Sequence, residues 1–176
     1  MRRWILIGLG VLVALLGVIW LAGSFIPREH RAESRITLER SIDTVWAIVR
    51  NPGSLLGTWP ELTHAERVEP DPQGRERWQE TVDGFEMRLI VVEAEAPSRM
   101  VTQVESEPGS PFGGIWILEL APAGNGTRIT LAEEGWIGPP PYRVMSRVIG
   151  YHRSIDGYLA ALGKHFGESP VPEHVP

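Results

Sequence analysis

The sequence predicts an α+β fold: a bent antiparallel sheet of about six to seven strands around one long C-terminal helix, preceded by a single transmembrane helix. Three observations carry this. The run Trp4 to Phe25 holds no charged residue, and it is long enough to cross a ~30 Å bilayer core at ~1.5 Å rise per residue. A central stretch alternates apolar and polar residues between Gly-, Pro- and Asn-rich turns. A last stretch, Tyr142–Phe166, lacks proline and repeats apolar residues at helical spacing. The chain therefore divides into an anchor at residues 1–26, one ligand-binding domain at 27–168 and a flexible tail at 169–176. Its 176 residues, 43% hydrophobic and 22% charged, suit one globular domain with an appendage.

The anchor comes first. Arg2 and Arg3 precede the apolar run, and Trp4 and Trp20 stand near its ends, where aromatic belts lie. A cleaved signal peptide would have an apolar region of only ~7–15 residues and a small-residue cleavage site. This run is longer, and Ala22-Gly23-Ser24 is a poor substitute for such a site. An uncleaved single-pass anchor is expected. The N-terminal arginines favour a cytoplasmic N-terminus and an extracytoplasmic domain; Arg28 and Arg31 on the other flank oppose that in part. Gly10, Ala14 and Gly17 share one helical face, an ordinary feature of membrane helices.

Beyond the anchor, Glu33–Leu38 alternates as a first strand. Ser41 caps a helix whose stripe is Ile42, Val45, Trp46 and Val49, and Asn51-Pro52-Gly53 stops it. A short helical piece runs through SLLGTW to Trp59. Asp71-Pro72-Gln73-Gly74 is a turn, and Asp83-Gly84 between Arg75–Thr81 and Phe85–Ala94 signals a tight hairpin. Met100–Glu107 is a further strand, and Gly114–Leu120 and Thr127–Trp136 flank the hairpin loop APAGNG. The Tyr142–Phe166 helix presents Tyr142, Met145, Ile149, His152, Ile155, Leu159, Leu162 and Phe166 inward. Gly150 and Gly157 inside it each cost ~1 kcal/mol against alanine, so each is expected to make room for a strand or a ligand.

From about Ile36 to Phe166 the chain resembles the SRPBCC superfamily, also called the START-like or Bet v 1-like helix-grip fold. The resemblance is nearest to its polyketide cyclase/dehydrase and lipid-transport branch. The residues that carry it are SIDTVWAIVRNPGSLLGTWPEL, PFGGIWILELAP with GTRITLAEEGWI, and YHRSIDGYLAALGKHFGE. It implies a hydrophobic cavity between the sheet and the long helix. It does not imply one activity, because a fold does not fix a function.

Alternation supplies the candidate lining. Phe85, Met87 and Leu89 share one strand face, Trp116 and Leu118 another, and the face of Ile129 and Leu131 continues to Glu133. Trp78 shares a face with Glu76 and Glu80, so its direction stays open. The candidate ligand-binding residues are Trp46, Trp59, Phe85, Met87, Leu89, Trp116, Leu118, Glu133, Met145, Ile149, His152 and Ile155. Glu133, if buried, must be paired or have its pKa raised; Arg143, Tyr151 and His152 are in reach from the helix, and with His152 or Tyr158 it would give the apolar pocket a polar end. His30 and His174 lie in flanking segments, where solvation is the expectation.

The formal net charge is −5, and the domain without Arg2 and Arg3 carries about −7. Such a surface excludes phosphate-driven nucleic-acid binding. Cysteine is absent, which removes disulfides, thiol nucleophiles and zinc–thiolate sites. No nucleophile, phosphate or dinucleotide motif appears, and the histidines are scattered, so no metal, cofactor or catalytic residue is expected. The sequence thus points to a membrane-tethered binding module for a hydrophobic small molecule or lipid. The alternatives are a cyclase/dehydrase-type enzyme using the same cavity and a tethered protein-interaction domain.

Overall fold

The apolar run forms one helix, α1 (Arg2–Ser24), in a computed structural model that describes residues 2–175. None of the apolar window in Arg3–Ser24 is buried by the rest of the chain, and the helix is long and apolar enough to cross a membrane. Its end is the exception: Gly23 is buried, and a Cβ there would collide with the backbone of Pro140.

The domain begins with β1 (Glu29–Leu38), four residues earlier than the alternation predicts. Next comes α2 (Ile42–Val49), whose N-cap Ser41 accepts a hydrogen bond from the Thr44 amide. A single 3₁₀ turn, Pro52–Leu55, follows where the prolyl ring forbids further α-helix. Six strands then meander: β2 (Leu62–Val68), β3 (Arg77–Val82), β4 (Phe85–Glu95), β5 (Arg99–Val104), β6 (Phe112–Ala123) and β7 (Gly126–Ile137). Asp83 (φ 52) and Gly84 (φ 79) close the β3–β4 hairpin as a two-residue turn with both residues at positive φ. Asp71 builds the preceding turn by accepting from the amides of Gln73 and Arg75 and from the Arg75 side chain.

All neighbouring strands are antiparallel, in the order β2-β3-β4-β5-β6-β7-β1-β8. The sheet has eight strands rather than six to seven. The extra one is β8 (Glu173–His174), in which the tail pairs with Ser34 and Arg35 of β1. Register shifts at Leu62/His64 and Val91/Glu93 add local bends.

The expected single long helix is two. Gly150, at φ 97, ends α3 (Pro140–Ile149), and α4 (Arg153–His165) starts after a turn. Glycine suits this position because a side chain would be strained at that angle. The core lies under α4 alone. Ile155, Leu159 and Leu162 are fully buried against Ile36 and Leu38 of β1, Val45 and Val49 of α2, and Ile129 and Leu131 of β7. Each such side chain stabilises the fold by ~1.5–3 kcal/mol. No residue of α3 is buried.

Candidate functional site

Beside that core, between the concave sheet face and α3, lies a cleft of about 570 Å³. Strand alternation positions its wall. Phe85, Met87 and Leu89 of β4 and Trp116 of β6 point into it, as the period-2 pattern requires. Met145 and Ile149 of α3 form the opposite side, with Tyr142 beside them. These three α3 residues and Phe85 are about half exposed, so this end is the mouth. Trp59 lies at the inner end, where a smaller annex of about 50 Å³ continues toward Leu118. The rings of Trp59, Trp116 and Tyr158 are mutually tilted, with centroids 5.5–6.3 Å apart, and make an aromatic floor.

Eight of the twelve candidate residues therefore line the cleft: Trp59, Phe85, Met87, Leu89, Trp116, Glu133, Met145 and Ile149. Leu118 lines the annex. Three do not line either space. Trp46 packs part-buried on the core from α2, and Ile155 is fully buried within it. His152 stands just before α4 and stacks on His174 of the tail, centroids 3.8 Å apart. The break at Gly150 explains its placement, because it resets the helical phase between Ile149 and Ile155. Gly157 makes room for Trp59: a Cβ there would sit 3.3 Å from Trp59 Nε1.

Glu133 lies on the cleft wall as the alternation predicts, but its partners are different. His30 Nε2 lies 2.8 Å from Oε1, while Trp116 Nε1 and the Ser154 hydroxyl donate to Oε2 at 2.8 and 2.9 Å. Burial alone would raise its pKa. The hydrogen bonds from His30, Trp116 and Ser154, with the charge of His30, outweigh burial and hold it below the usual value. Arg143 and His152 serve elsewhere, and Tyr151 reaches the site only by stacking on His30 at 4.5 Å. Arg143 donates to the carbonyls of Ile137 and Ile26, pinning α3 to the segment that follows α1.

His30 corrects the sequence expectation of a solvated residue: its side chain is 8% exposed. The reason is the early start of β1, which pairs His30 with Gly135. A Cβ at Gly135 would lie 2.7 Å from the imidazole, so only glycine lets the ring lie over β7.

Glu80 of β3 shares the strand face of Trp78, whose direction the sequence left open. It is 5% exposed and lines both the cleft and the annex. Among the described residues its carboxyl has no hydrogen-bond or ion-pair partner. Burial pushes its pKa up to about 7. The Tyr158 hydroxyl is pushed up as well, by burial and by the nearby Glu80 charge. Glu76, of the same parity, instead pairs with Arg50 at 2.5 Å and accepts from Trp78 Nε1 at 2.9 Å.

With this geometry, the comparisons with known proteins can be placed. A family profile described as polyketide cyclase / dehydrase and lipid transport matches residues 29–165. No curated protein sequence matches the chain. Among solved structures, a conserved protein from Geobacillus kaustophilus superposes with TM-score 0.63 at 16% identity, over 82% of this chain and 100% of that one. The di-domain ARO/CYC StfQ of the steffimycin biosynthetic pathway gives TM-score 0.58 at 14% identity, over 77% of this chain and 50% of that one. Ara h 8.0201 gives TM-score 0.58 at 14% identity, over 80% and 99%. At these identities the likeness is one of fold.

Proposed function

This chain belongs to the polyketide cyclase / dehydrase and lipid transport family, and from that premise we propose that it is a membrane-tethered binding module for a hydrophobic small molecule or lipid. The observation that carries the reading is the cleft itself: an apolar wall with a few placed polar groups, the usual make-up of a small-molecule site. The placement of its mouth supports the tether. The end of α1 abuts the start of α3, and α3 forms the mouth. Val148 of α3 and Phe25 just after α1 are 82% and 81% exposed, which leaves apolar side chains beside the anchor's end. We place the mouth at the bilayer surface, with α3 resting on it as an amphipathic helix whose exposed Arg147 suits lipid headgroups. A hydrophobic ligand would then enter from the bilayer without crossing water. The N-terminal arginines favour an extracytoplasmic domain.

The test is thermal unfolding of the full chain in lipid nanodiscs with water-soluble hydrophobic compounds. A ligand present at about 100 times its Kd adds about 2.7 kcal/mol of stability. The reading expects at least one compound to raise Tm in the native chain and not in Met87→Trp, whose ring fills the cleft. Equal responses in both chains would contradict it.

A further inference from the structure

We propose that the cleft selects a hydrophobic molecule carrying an amine, whose ammonium group pairs with Glu80 while its apolar body lies against Trp59, Trp116 and Leu89. The inference rests on the ligand-binding reading above and names the class of ligand.

Two carboxyls line the cleft, Glu80 buried and Glu133 partly so, and their surroundings differ. Glu133 accepts from three donors on β1, β6 and α4. Glu80, at the junction of cleft and annex, has no donor among the described residues, although a buried carboxylate without one is costly. The fold satisfies one carboxyl and leaves the other facing the space a ligand would fill. Most of the other charged lining has the same sign. Glu61 and Asp83 also border the cleft, and Arg153 is its one arginine. His30 Nε2 is committed to Glu133, while its buried Nδ1 has no partner among the described residues.

An ammonium group answers each of these features. It supplies hydrogen-bond donors and a counter-charge to Glu80 where water is scarce and the attraction is strong. Trp59 and Trp116 border the same space, and an indole ring attracts a cation held over its face. A ligand carboxylate would meet like charge and would find no free donor at Glu80. A fatty acid anion is therefore the wrong ligand for this cleft, although it matches the apolar wall.

The experiment uses three compounds with one skeleton: 2-(1-naphthyl)ethylamine, 2-(1-naphthyl)ethanol and 1-naphthylacetate. Each is titrated by calorimetry into the full chain in nanodiscs at a pH of about 8, with Glu80→Gln alongside. The proposal expects the amine to bind about tenfold or more tighter than the alcohol, with the acetate weakest. Glu80→Gln should lower amine affinity about tenfold and leave the alcohol within about twofold. Equal binding of amine and alcohol, tightest binding of the acetate, or an amine affinity unmoved by Glu80→Gln would overturn the amine assignment while leaving a hydrophobic cleft standing. Binding of none of the three would overturn the assignment and the ligand-binding reading together.

Discussion

Glu80 and Glu133 are two carboxyls on one concave face with opposite surroundings, and each yields a test. Glu80 has an ordinary value of 4.5 and is pushed up to about 7 by burial. Between those values the folded chain holds a proton that the unfolded chain has lost, so stability falls as pH rises from about 4.5 to about 7. The loss is of order 3 kcal/mol. Glu80→Gln removes the penalty: at a pH near 8 the variant should be more stable by up to about that amount, with a flatter stability profile. Urea midpoints across this range check it, and an unchanged slope would contradict it. Glu133 has the reverse sign. Its pKa is held down, so its contribution is present above the ordinary carboxylate range and lost as pH falls through the folded value. Glu133→Gln should cost about 1–3 kcal/mol at neutral pH, measurable by the same titration. Only one of these residues could be read in advance. Glu133 continues the apolar phase of Ile129 and Leu131, so alternation placed it. Glu80 shares parity with Glu76 and Trp78, and nothing local says that Arg50 would claim one glutamate and leave the other. His30 escaped because Gly135, its cross-strand neighbour, lies 105 positions away.

At the scale of elements, the hairpin at Asp83-Gly84 and the cap at Ser41 were legible because turns and caps are decided by adjacent residues. The helix break was not. Apolar spacing runs through Gly150, and whether a glycine interrupts a helix depends on what packs beyond it. Here α4 follows the core while α3 swings over the cleft. The same break put His152 against the tail, and pairing of the tail with β1 is a long-range event that composition does not reveal. Gly157 reports on the floor. Gly157→Leu should displace Trp59, cost about 1–3 kcal/mol by overpacking and alter near-ultraviolet circular dichroism; a native spectrum would contradict the contact. The exposed face of α3 has its own probe. The chain has no cysteine, so Val148→Cys carries an environment-sensitive dye at one site. In proteoliposomes its emission should shift to the blue and be quenched by spin-labelled lipid, while a dye at Glu86 on the sheet should behave as in water. Identical behaviour at both sites would detach α3 from the membrane.

For the molecule as a whole, the long apolar N-terminal helix, the α+β class and the sheet-and-helix architecture followed from composition and periodicity. Most of the wall was legible because it lies on regular strands. The polar equipment was less so, because it is assembled from β1, β3, β6, β7 and α4, far apart in sequence. The proposed function stands on a hydrophobic ligand being held in the cleft under α3. Native mass spectrometry of the full chain, extracted from membranes in lipid nanodiscs without detergent, tests this most directly. The expected result is a discrete small-molecule mass retained on the 19.6 kDa chain and lost in Met87→Trp. The bare chain mass in every preparation, or an adduct that persists in Met87→Trp, would contradict it.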